Sequence, residues 1–320
     1  MPTADVNQAP LFTVVMPAYK AAATIGVAIA SVLHQTEGRF ELIVVDDGSP
    51  DDTTAQAEAA AAGDPRVRVI RQENAGPAIA RNHGIAQGTS RLVAFLDADD
   101  RWAPDALARH RDHFDAVPSV GVSFGRIRFY DPALTAGGRA SAHVPVMSLA
   151  LSIGENPICT TSNLVARREV FARAGGFNPA LTHAEDQEWV ARVLASTRWD
   201  VCGIDAILVD YRTSAGGLSA DLTRMRDGWR TMIDGIRALA PAKVGAAEAE
   251  ASALFERYLA RRALRIGQPA ASAFSHLWTA FRHSPIALLK HAPRRTLLTA
   301  AGILAASLLP PSLVRAAVVR

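Results

Sequence analysis

The sequence contains 320 residues, of which 49% are hydrophobic and 20% are charged. This composition is typical of a globular protein with one large or two ordinary domains, and it excludes disordered, collagenous and coiled-coil proteins. Only two cysteines are present, which excludes a disulfide framework and a zinc site of four thiolates. No basic and apolar leader precedes the first hydrophobic run, so we expect a cytoplasmic protein.

Charge is distributed unevenly along the chain. The net charge is +3, yet the last acidic residue is Glu256, and the segment 257–320 contains ten lysines and arginines. Residues 1–256 therefore carry a net charge of −7 and the C-terminal segment carries +10. This asymmetry predicts an acidic body followed by a basic tail.

Strand and helix signals alternate over the first hundred residues. Apolar residues at helical spacing from Ile25 to Leu33 predict one helix, and Pro77 followed by a run to Gln87 predicts another. The alternation indicates an α/β fold, Rossmann-like, with a doubly wound and mostly parallel sheet. The predicted strands are short apolar runs typical of strands buried on both faces, at Phe12–Met16, Phe40–Val45, Val67–Ile70 and Leu92–Leu96.

The alternation weakens beyond about residue 120. A segment with proline and glycines, Asp131–His143, is predicted to be a loop. A helical region rich in alanine and arginine begins at about residue 222, so we divide the chain into 1–221 and 222–320. From about residue 120 to this boundary, the patterns predict strands at Val122–Tyr130 and Ile204–Tyr211, and helices at Arg167–Ala174 and Asp186–Ser196.

Three acidic residues follow the fourth predicted strand, namely Asp97, Asp99 and Asp100. In an extended chain, residues i and i+2 point the same way, so Asp97 and Asp99 can present their carboxylates to one point. Such an oxygen-only, partly open site suits Mg²⁺ or Mn²⁺, which also accept phosphate oxygens from a nucleotide diphosphate. The alternative is an acidic turn in which Asp100 caps a helix that begins near Pro104.

Polar and aromatic residues also follow the first two predicted strands. The second strand ends in Asp46-Asp47-Gly48-Ser49, and Tyr19 follows the first. A carboxylate at this edge can accept a hydrogen bond from a base or a ribose, and the Tyr19 ring can stack on a base. Alternatively, Asp47-Gly48 is an ordinary turn and Tyr19 is a half-buried aromatic residue.

Glu185 and Asp186 stand at the start of a predicted amphipathic helix. The helix dipole stabilises anions at this position, which is a complete structural explanation. A general base is the functional alternative, because an ionised carboxylate within hydrogen-bond reach of a hydroxyl can accept its proton.

Five blocks of the sequence, taken in order, together carry a resemblance to a known family. They are VVMPAYKAAATIGVAIASVLHQT, ELIVVDDGSPDDT, NAGPAIARNHGIAQG, LVAFLDADDRWAPDAL, and TTSNLVARREVFARAGGFNPAL followed by AEDQEWVARVL. In this order and spacing they resemble the family 2 inverting glycosyltransferases with the GT-A fold, over roughly residues 12–219.

The resemblance implies a metal-dependent, inverting glycosyltransferase that uses Mg²⁺ or Mn²⁺ and a nucleotide-sugar, UDP-linked, with a glycan or lipid-linked acceptor. It implies that Asp186 is the catalytic base, and that Asp97 and Asp99 contact ribose and metal-bound diphosphate. The nucleotide-sugar part would span about residues 12–100 and the acceptor part about 101–221. Positions that match the nucleotide pocket of the family are Pro17, Ala18, Tyr19, Asp46 (facing the base), Gly76, Arg81 and Asp97.

The sequence departs from the family pattern at two positions. Lys20 stands where the family usually has Asn, and Ser214 stands where a His is common in the closing segment. Arg212 is therefore the remaining candidate for a phosphate partner in that segment.

The C-terminal tail suggests a membrane surface as a partner. Thr296–Leu309 is an uncharged run of 14 residues before Pro310-Pro311, and a helix of that length spans about 21 Å, less than the roughly 30 Å of a hydrocarbon core. The basic flanks favour peripheral adhesion to an anionic inner leaflet of the cell membrane. The alternative is an apolar helix packed on the catalytic domain. Nucleic acid is not an expected partner, because no aromatic-rich binding motif accompanies the charge.

Three other classes of protein were weighed. A sugar nucleotidyltransferase would have a glycine-rich, basic phosphate loop after the first strand, which Pro17–Ala23 lacks. A dinucleotide oxidoreductase is excluded because no G-x-G-x-x-G follows that strand. A catalytically silent, membrane-associated subunit with a nucleotide pocket stays an alternative, although the intact Asp97, Asp99 and Asp186 speak against it.

Overall fold

The computed structural model describes residues 9–131, 137–181, 184–213 and 222–308. They form two compact units, of which the first contains 9–147 and 157–213 and the second contains 148–156 and 222–308. Residues 148–156 fall in the predicted first domain, whereas the structure groups this segment with the second unit. The predictions on Ser214 in the closing segment and on 309–320 lie outside the described residues.

In the described part of the chain, the first unit contains one sheet of nine strands. The strands are β1 (Phe12–Ala18), β2 (Phe40–Asp46), β3 (Val67–Arg71), β4 (Leu92–Phe95), β5 (Arg101–Trp102), β6 (Val120–Tyr130), β7 (Gly137–Ala140), β8 (Leu164–Arg167) and β9 (Asp200–Arg212). Their order is β3-β2-β1-β4-β8-β6-β9-β5, and β7 pairs with β6.

The half of the sheet that contains β1 to β4 is parallel. β1 pairs in parallel with β2 and β4, and β2 pairs in parallel with β3. All residues of β1 and β4 are buried, which explains why these strands are continuous apolar runs without alternation. Because Ala18 lies opposite Asp46 and Val15 lies opposite Phe95, the three central strands end at one edge.

The other half makes the sheet mixed. β8 is antiparallel to β4 and β6, β9 is parallel to β6, and the short β5 is antiparallel to β9. The predicted α/β architecture is confirmed, but β5, β7 and β8 were not predicted, and β7 lies inside the predicted loop Asp131–His143. Segments of two to four residues carry little periodicity of their own, so pairing with a neighbouring strand decides their conformation.

Six helices flank the described sheet in the first unit. They are α1 (Ile25–Leu33), α2 (Thr53–Ala61), α3 (Pro77–Gln87), α4 (Ala106–Ala116), α6 (Arg168–Ala174) and α7 (Glu185–Ser196). The predicted stripe of α1 is buried in the main core with β1 and β2. The structural alternative for Asp100 is wrong, because α4 begins at Ala106 with Asp105 at its N-cap position.

The second unit is helical, as predicted for the C-terminal region. Its helices are α5 (Leu149–Gly154), α8 (Leu222–Leu239), α9 (Pro241–Arg265), α10 (Ala270–His283), α11 (Pro285–Lys290) and α12 (Pro293–Leu308). The long α9 is central, since each of the other five packs on it. Within the described ranges, none of the helices has both the length and the apolar character that crossing a membrane requires.

Candidate active site

The polar residues predicted for the site meet at the carboxyl ends of β1, β2 and β4. Ala18 and Asp46 are paired at the ends of β1 and β2. The chain leaves β4 through Leu96, whose N–H donates to the Val15 carbonyl, and then reaches Asp97. Parallel pairing therefore places Tyr19, Asp46 and Asp97 along one edge, where ligands of such sheets bind.

Arg81, on α3, joins two acidic segments that are far apart in the sequence. Its Nη2 donates to Asp97 Oδ1 at 2.6 Å, and its Nη1 donates to Glu185 Oε1 at 2.6 Å. The Arg81 side chain is only 5% exposed. Burial lowers the pKa of this guanidinium, but Asp97 and Glu185 raise it by more, so that it stays charged. The Arg81 guanidinium thus joins the segment after β4 to the start of α7 through two ion pairs.

Asp97 and Asp99 differ in how the protein holds them. Asp97 Oδ1 accepts from Arg81, whereas no described residue donates to its Oδ2. Asp99 lies at the surface, and desolvation by the surrounding protein, followed by the charge of Asp97, raises its pKa. The two carboxylates are thus close enough to repel each other, which is the arrangement that a bound cation relieves.

Asp100, the third acid of this turn, is an internal anchor. It is 1% exposed, and it accepts hydrogen bonds from Ser162 Oγ at 2.6 Å and from the Arg212 N–H at 3.0 Å. Burial, followed by the charges of Asp97 and Asp99, raises the pKa of Asp100 well above its usual value. Ser162 also accepts a hydrogen bond from the Asp97 N–H at 3.0 Å. This serine therefore bonds to both Asp97 and Asp100 and holds the turn between them. Ser162 was not predicted as a residue of the site. The one indication in the sequence is that Ser162 lies in the TTSN segment of the last family block.

Arg212 lies beside the same turn, at the end of β9. Its Nε donates to the Asp99 carbonyl at 3.0 Å. The structure therefore brings this predicted phosphate partner to the acidic turn, although 112 residues separate Arg212 from Asp100.

Glu185 and Asp186 occupy the first turn of α7. Glu185 accepts a hydrogen bond from Arg81. Asp186 is half-buried, and its Oδ1 accepts a hydrogen bond from the Gln187 N–H at 2.7 Å. Both acids thus lie at the N-terminal end of a helix, where negative charge is favourable. The sequence did not show which of these neighbouring acids pairs with Arg81.

The two acids at the end of β2 hydrogen-bond to the loops beside the candidate site. Asp46 is almost fully buried and accepts from the Ser49 N–H at 2.9 Å and from the Thr54 hydroxyl. Asp47 accepts from the N–H groups of Ala75 and Gly76 at 2.9 and 2.8 Å. Asp46 therefore holds its own turn and Asp47 holds the loop before α3, while the contact of Asp46 with a base stays a prediction.

Two glycines in these loops have positive φ angles, which L side chains rarely adopt. Gly48 has φ +72°, and a Cβ there would lie 2.9 Å from the Asn74 backbone nitrogen, so an L side chain is strained at this position. Gly76 has φ +91° at the N-cap position of α3.

Tyr19 presents its ring at the surface of the site, with 47% of the residue exposed. Pro17 and Ala18, the last residues of β1, are buried beneath it. The Lys20 ammonium lies 5.2 Å from the Tyr19 ring centroid, and the Lys20 N–H donates to Ser49 Oγ at 3.1 Å. The substitution of the usual Asn by Lys therefore adds a cation beside the ring.

The donor set fits an oxygen-ligated divalent cation. Asp97 and Asp99 supply carboxylates only, and desolvation, followed by the charge of Asp97, raises the pKa of Asp99. No group of three or more His, Cys, Asp or Glu side chains within the described ranges is arranged to hold a metal. Mg²⁺ or Mn²⁺ bound here would therefore take its other ligands from water and substrate phosphates, as these ions commonly do.

Comparisons with known proteins agree with this architecture. Residues 13–175 match the family model "Glycosyl transferase family 2". The succinoglycan biosynthesis protein ExoU of Rhizobium meliloti is 33% identical in an alignment 245 residues long, which covers 70% of this chain and 70% of ExoU.

Two solved structures share the fold. The mannosyltransferase PcManGT of Pyrobaculum calidifontis, in complex with GDP-Man and Mn²⁺, has a TM-score of 0.62 at 21% identity, over 98% of this chain and 85% of that one. TarS 1–349 of S. aureus, in complex with UDP-GlcNAc, has a TM-score of 0.61 at 16% identity, over 91% of this chain and 90% of that one.

Proposed function

Since the chain belongs to glycosyl transferase family 2 and is a glycosyltransferase, we propose that it transfers a sugar from a nucleoside diphosphate to an acceptor hydroxyl with inversion at the anomeric carbon. One observation supports this most: Arg81 binds both Asp97 and Glu185 at 2.6 Å. The acidic turn that would receive the donor diphosphate thus shares a buried cation with the helix that carries Asp186. Single displacement needs a base held beside the donor in this way.

Asp186 is the proposed general base. It takes the proton of the acceptor hydroxyl as the acceptor oxygen attacks the anomeric carbon from the face opposite the diphosphate. The new C–O bond forms as the bond to the diphosphate breaks, so the configuration inverts without a covalent intermediate. Glu185 positions this turn of α7 through its ion pair with Arg81.

Asp97 and Asp99 would hold Mg²⁺ or Mn²⁺, which supplies positive charge beside the leaving diphosphate. Arg212 lies next to Asp99, so its guanidinium can donate to a diphosphate oxygen as well. Asp100 and Ser162 keep the turn rigid from the interior, which holds the donor in one position.

The nucleoside would lie over the ends of β1 and β2. The exposed Tyr19 ring stacks on the base, and the loop that contains Gly76 allows the nucleotide to approach the backbone. We propose UDP as the nucleotide, with support from the likeness to TarS, whose structure contains UDP-GlcNAc. The GDP-Man complex of PcManGT makes GDP the competing choice.

The acceptor would be a glycan or a lipid-linked glycan in polysaccharide biosynthesis. The support is the 33% identity to ExoU, a succinoglycan biosynthesis protein. An acceptor hydroxyl would approach from the side of α7, where Asp186 lies.

A panel of UDP- and GDP-sugars tests this function. Purified protein is incubated with each donor and with short glycan acceptors, with Mn²⁺ and with EDTA, and the released nucleotide is measured. We expect release with one UDP-sugar, dependence on the metal, and a product whose anomeric proton coupling in NMR shows inversion. A product with retained configuration contradicts the mechanism, and donor binding without transfer to any acceptor favours the silent-subunit alternative.

A further inference from the structure

Three consecutive helices of the second unit leave large apolar side chains in solvent. On α10, Ala273, Leu277 and Ala280 are buried. The opposite stripe is exposed at spacings of four and three residues, and Trp278 in this stripe exposes 58% of its surface. The exposed apolar residues of α10 are Phe274, Trp278 and Phe281.

The next two helices continue this pattern. On α11, Ala287 and Leu288 are buried, and α12 buries Thr299 and Ile303. Their outer sides expose Ile286, Leu289, Leu297, Leu298, Leu304 and Leu308, of which Leu297 exposes 69%. We call the exposed residues of α10, α11 and α12 the outer surface. An exposed group of this many apolar side chains indicates a surface that binds a partner or a membrane.

The charges around the outer surface restrict what can cover it. The segment 270–308 contains no Asp or Glu. Four basic residues accompany the apolar side chains, and Arg282, Lys290 and Arg294 among them are exposed. Glu250 on α9 lies 3.5 Å from the Lys290 ammonium. The complementary partner is apolar and negatively charged, which is the chemistry of an anionic lipid leaflet.

We propose that the second unit docks on an anionic membrane surface, with the outer surface inserted among the lipids. The apolar side chains enter the boundary between headgroups and acyl chains, and the basic residues remain at headgroup level. The binding is peripheral and reversible, and it stands independently of the proposed sugar transfer.

Vesicle sedimentation tests the proposal with the full chain and without any donor. Vesicles of phosphatidylcholine alone are compared with vesicles that contain phosphatidylglycerol as well, at low and high salt. We expect binding to the anionic vesicles and a partition coefficient that decreases as salt screens the basic residues, with a remainder held by apolar insertion.

Two substitutions at exposed positions separate the apolar and the charged contributions. Trp278→Ser is expected to lower the partition coefficient about tenfold, because insertion of the indole is lost. Lys290→Gln with Arg294→Gln is expected to lower it by roughly tenfold or more on anionic vesicles only. Leu239→Ser and Arg230→Gln are matched controls, because both residues are exposed on α8 of the same unit, and neither should change binding.

Equal binding of all variants, binding that ignores lipid charge, or no binding to either vesicle would overturn the proposal. Concentration-dependent self-association in ultracentrifugation that Trp278→Ser abolishes would show a second copy of the chain as the occupant instead.

Discussion

Asp97 and Asp99 are equivalent in sequence but not in the structure. Asp97 is paired with Arg81 at 2.6 Å, whereas Asp99 is exposed and its pKa is raised by desolvation and by Asp97. Loss of Asp99 therefore removes a proposed metal ligand without leaving a buried cation unpaired. It is the better residue for testing the metal site.

Asp99→Ala is expected to lower the affinity for UDP with Mn²⁺ at least about tenfold, because a weakly chelated ion loses one of two carboxylate ligands. The affinity for UDP in EDTA should stay the same. Calorimetric titration measures both, and Asp112→Ala, a change at an exposed residue of α4, serves as the control. An unchanged affinity with Mn²⁺ would contradict the metal assignment.

Asp186→Asn is expected to reduce kcat by ~10²–10⁴, the contribution of a general base, and to leave donor affinity unchanged. Asn keeps an oxygen that can accept from the Gln187 N–H, as Asp186 does, but it cannot take the proton of the acceptor. Turnover and donor binding are measured on the same preparation, with Asp115→Asn on α4 as the control. A loss in kcat of less than about tenfold counts against Asp186 as the base.

At the scale of elements, the site depends on one contact among α3, β4 and α7. Arg81→Met leaves Asp97 and Glu185 without their shared cation, and breaking a buried pair of this kind costs about 3–5 kcal/mol. Because the Asp97 side chain is 26% exposed, solvent screens part of its interaction with Arg81. We therefore expect a loss of about 2–3 kcal/mol in the free energy of unfolding.

Urea denaturation measures that loss, and a double-mutant cycle with Glu185→Gln isolates the pair. The two changes should be clearly non-additive, because Glu185 without its charge no longer needs Arg81. Additive effects would show that the ion pair between Arg81 and Glu185 does not stabilise the contact.

A second element contact gives the protein a pH dependence. His110 and His113 on α4 each place Nδ1 2.8 Å from Ser123 Oγ on β6. Burial, followed by the charge of His113, lowers the pKa of His110 to about 3, and burial also lowers the pKa of His113. Both imidazoles are therefore neutral in the folded protein at neutral pH.

His110 should destabilise the fold as the pH falls. The unfolded chain binds a proton at His110 below about pH 6.5, whereas the folded protein does not until about pH 3, so stability is lost across this window. From pH 7.5 to 5.0 we expect a loss of about 2 kcal/mol that His110→Gln removes. Urea midpoints at the two pH values provide the measurement, and His34→Gln at an exposed position is the control. An equal pH dependence in both variants would contradict a neutral buried His110.

At the scale of the whole molecule, the second unit is not a simple tail. Residues 148–156 are separated in sequence from 222–308 but belong to the same unit, and α9 continues to Arg265. A truncation near residue 256, where the acidic residues end, would cut this central helix. The membrane prediction therefore requires substitutions in the full chain, and loss of binding on truncation would be uninformative.

Much of the first unit follows from local sequence. The apolar runs of β1, β2 and β4 are buried on both faces, and the stripe of α1 faces the core, because both patterns depend on residues a few positions apart. The turn with Asp97 and Asp99 was located for the same reason, since parallel strands end at one edge.

The remaining features depend on contacts between distant segments. The Arg81 pair with Glu185 spans 104 residues and the Asp100 bond to Ser162 spans 62, and local spacing carries no information about either. Sequence likewise placed Glu185 and Asp186 side by side without showing which of them pairs with Arg81.

The sequence by itself determined the α/β class, the helical basic C-terminal region, and the edge of the sheet at which the acids of the candidate site meet. Only the tertiary structure decided that Arg81 connects two of these acids, that Asp100 is an internal anchor and that 148–156 joins the second unit. It also decided which side of α10 is covered, since Leu277 and Trp278 are adjacent large apolar residues and only packing within the helical unit buries the first and exposes the second. Periodicity defines the faces of a helix, and the neighbouring elements determine which face is buried.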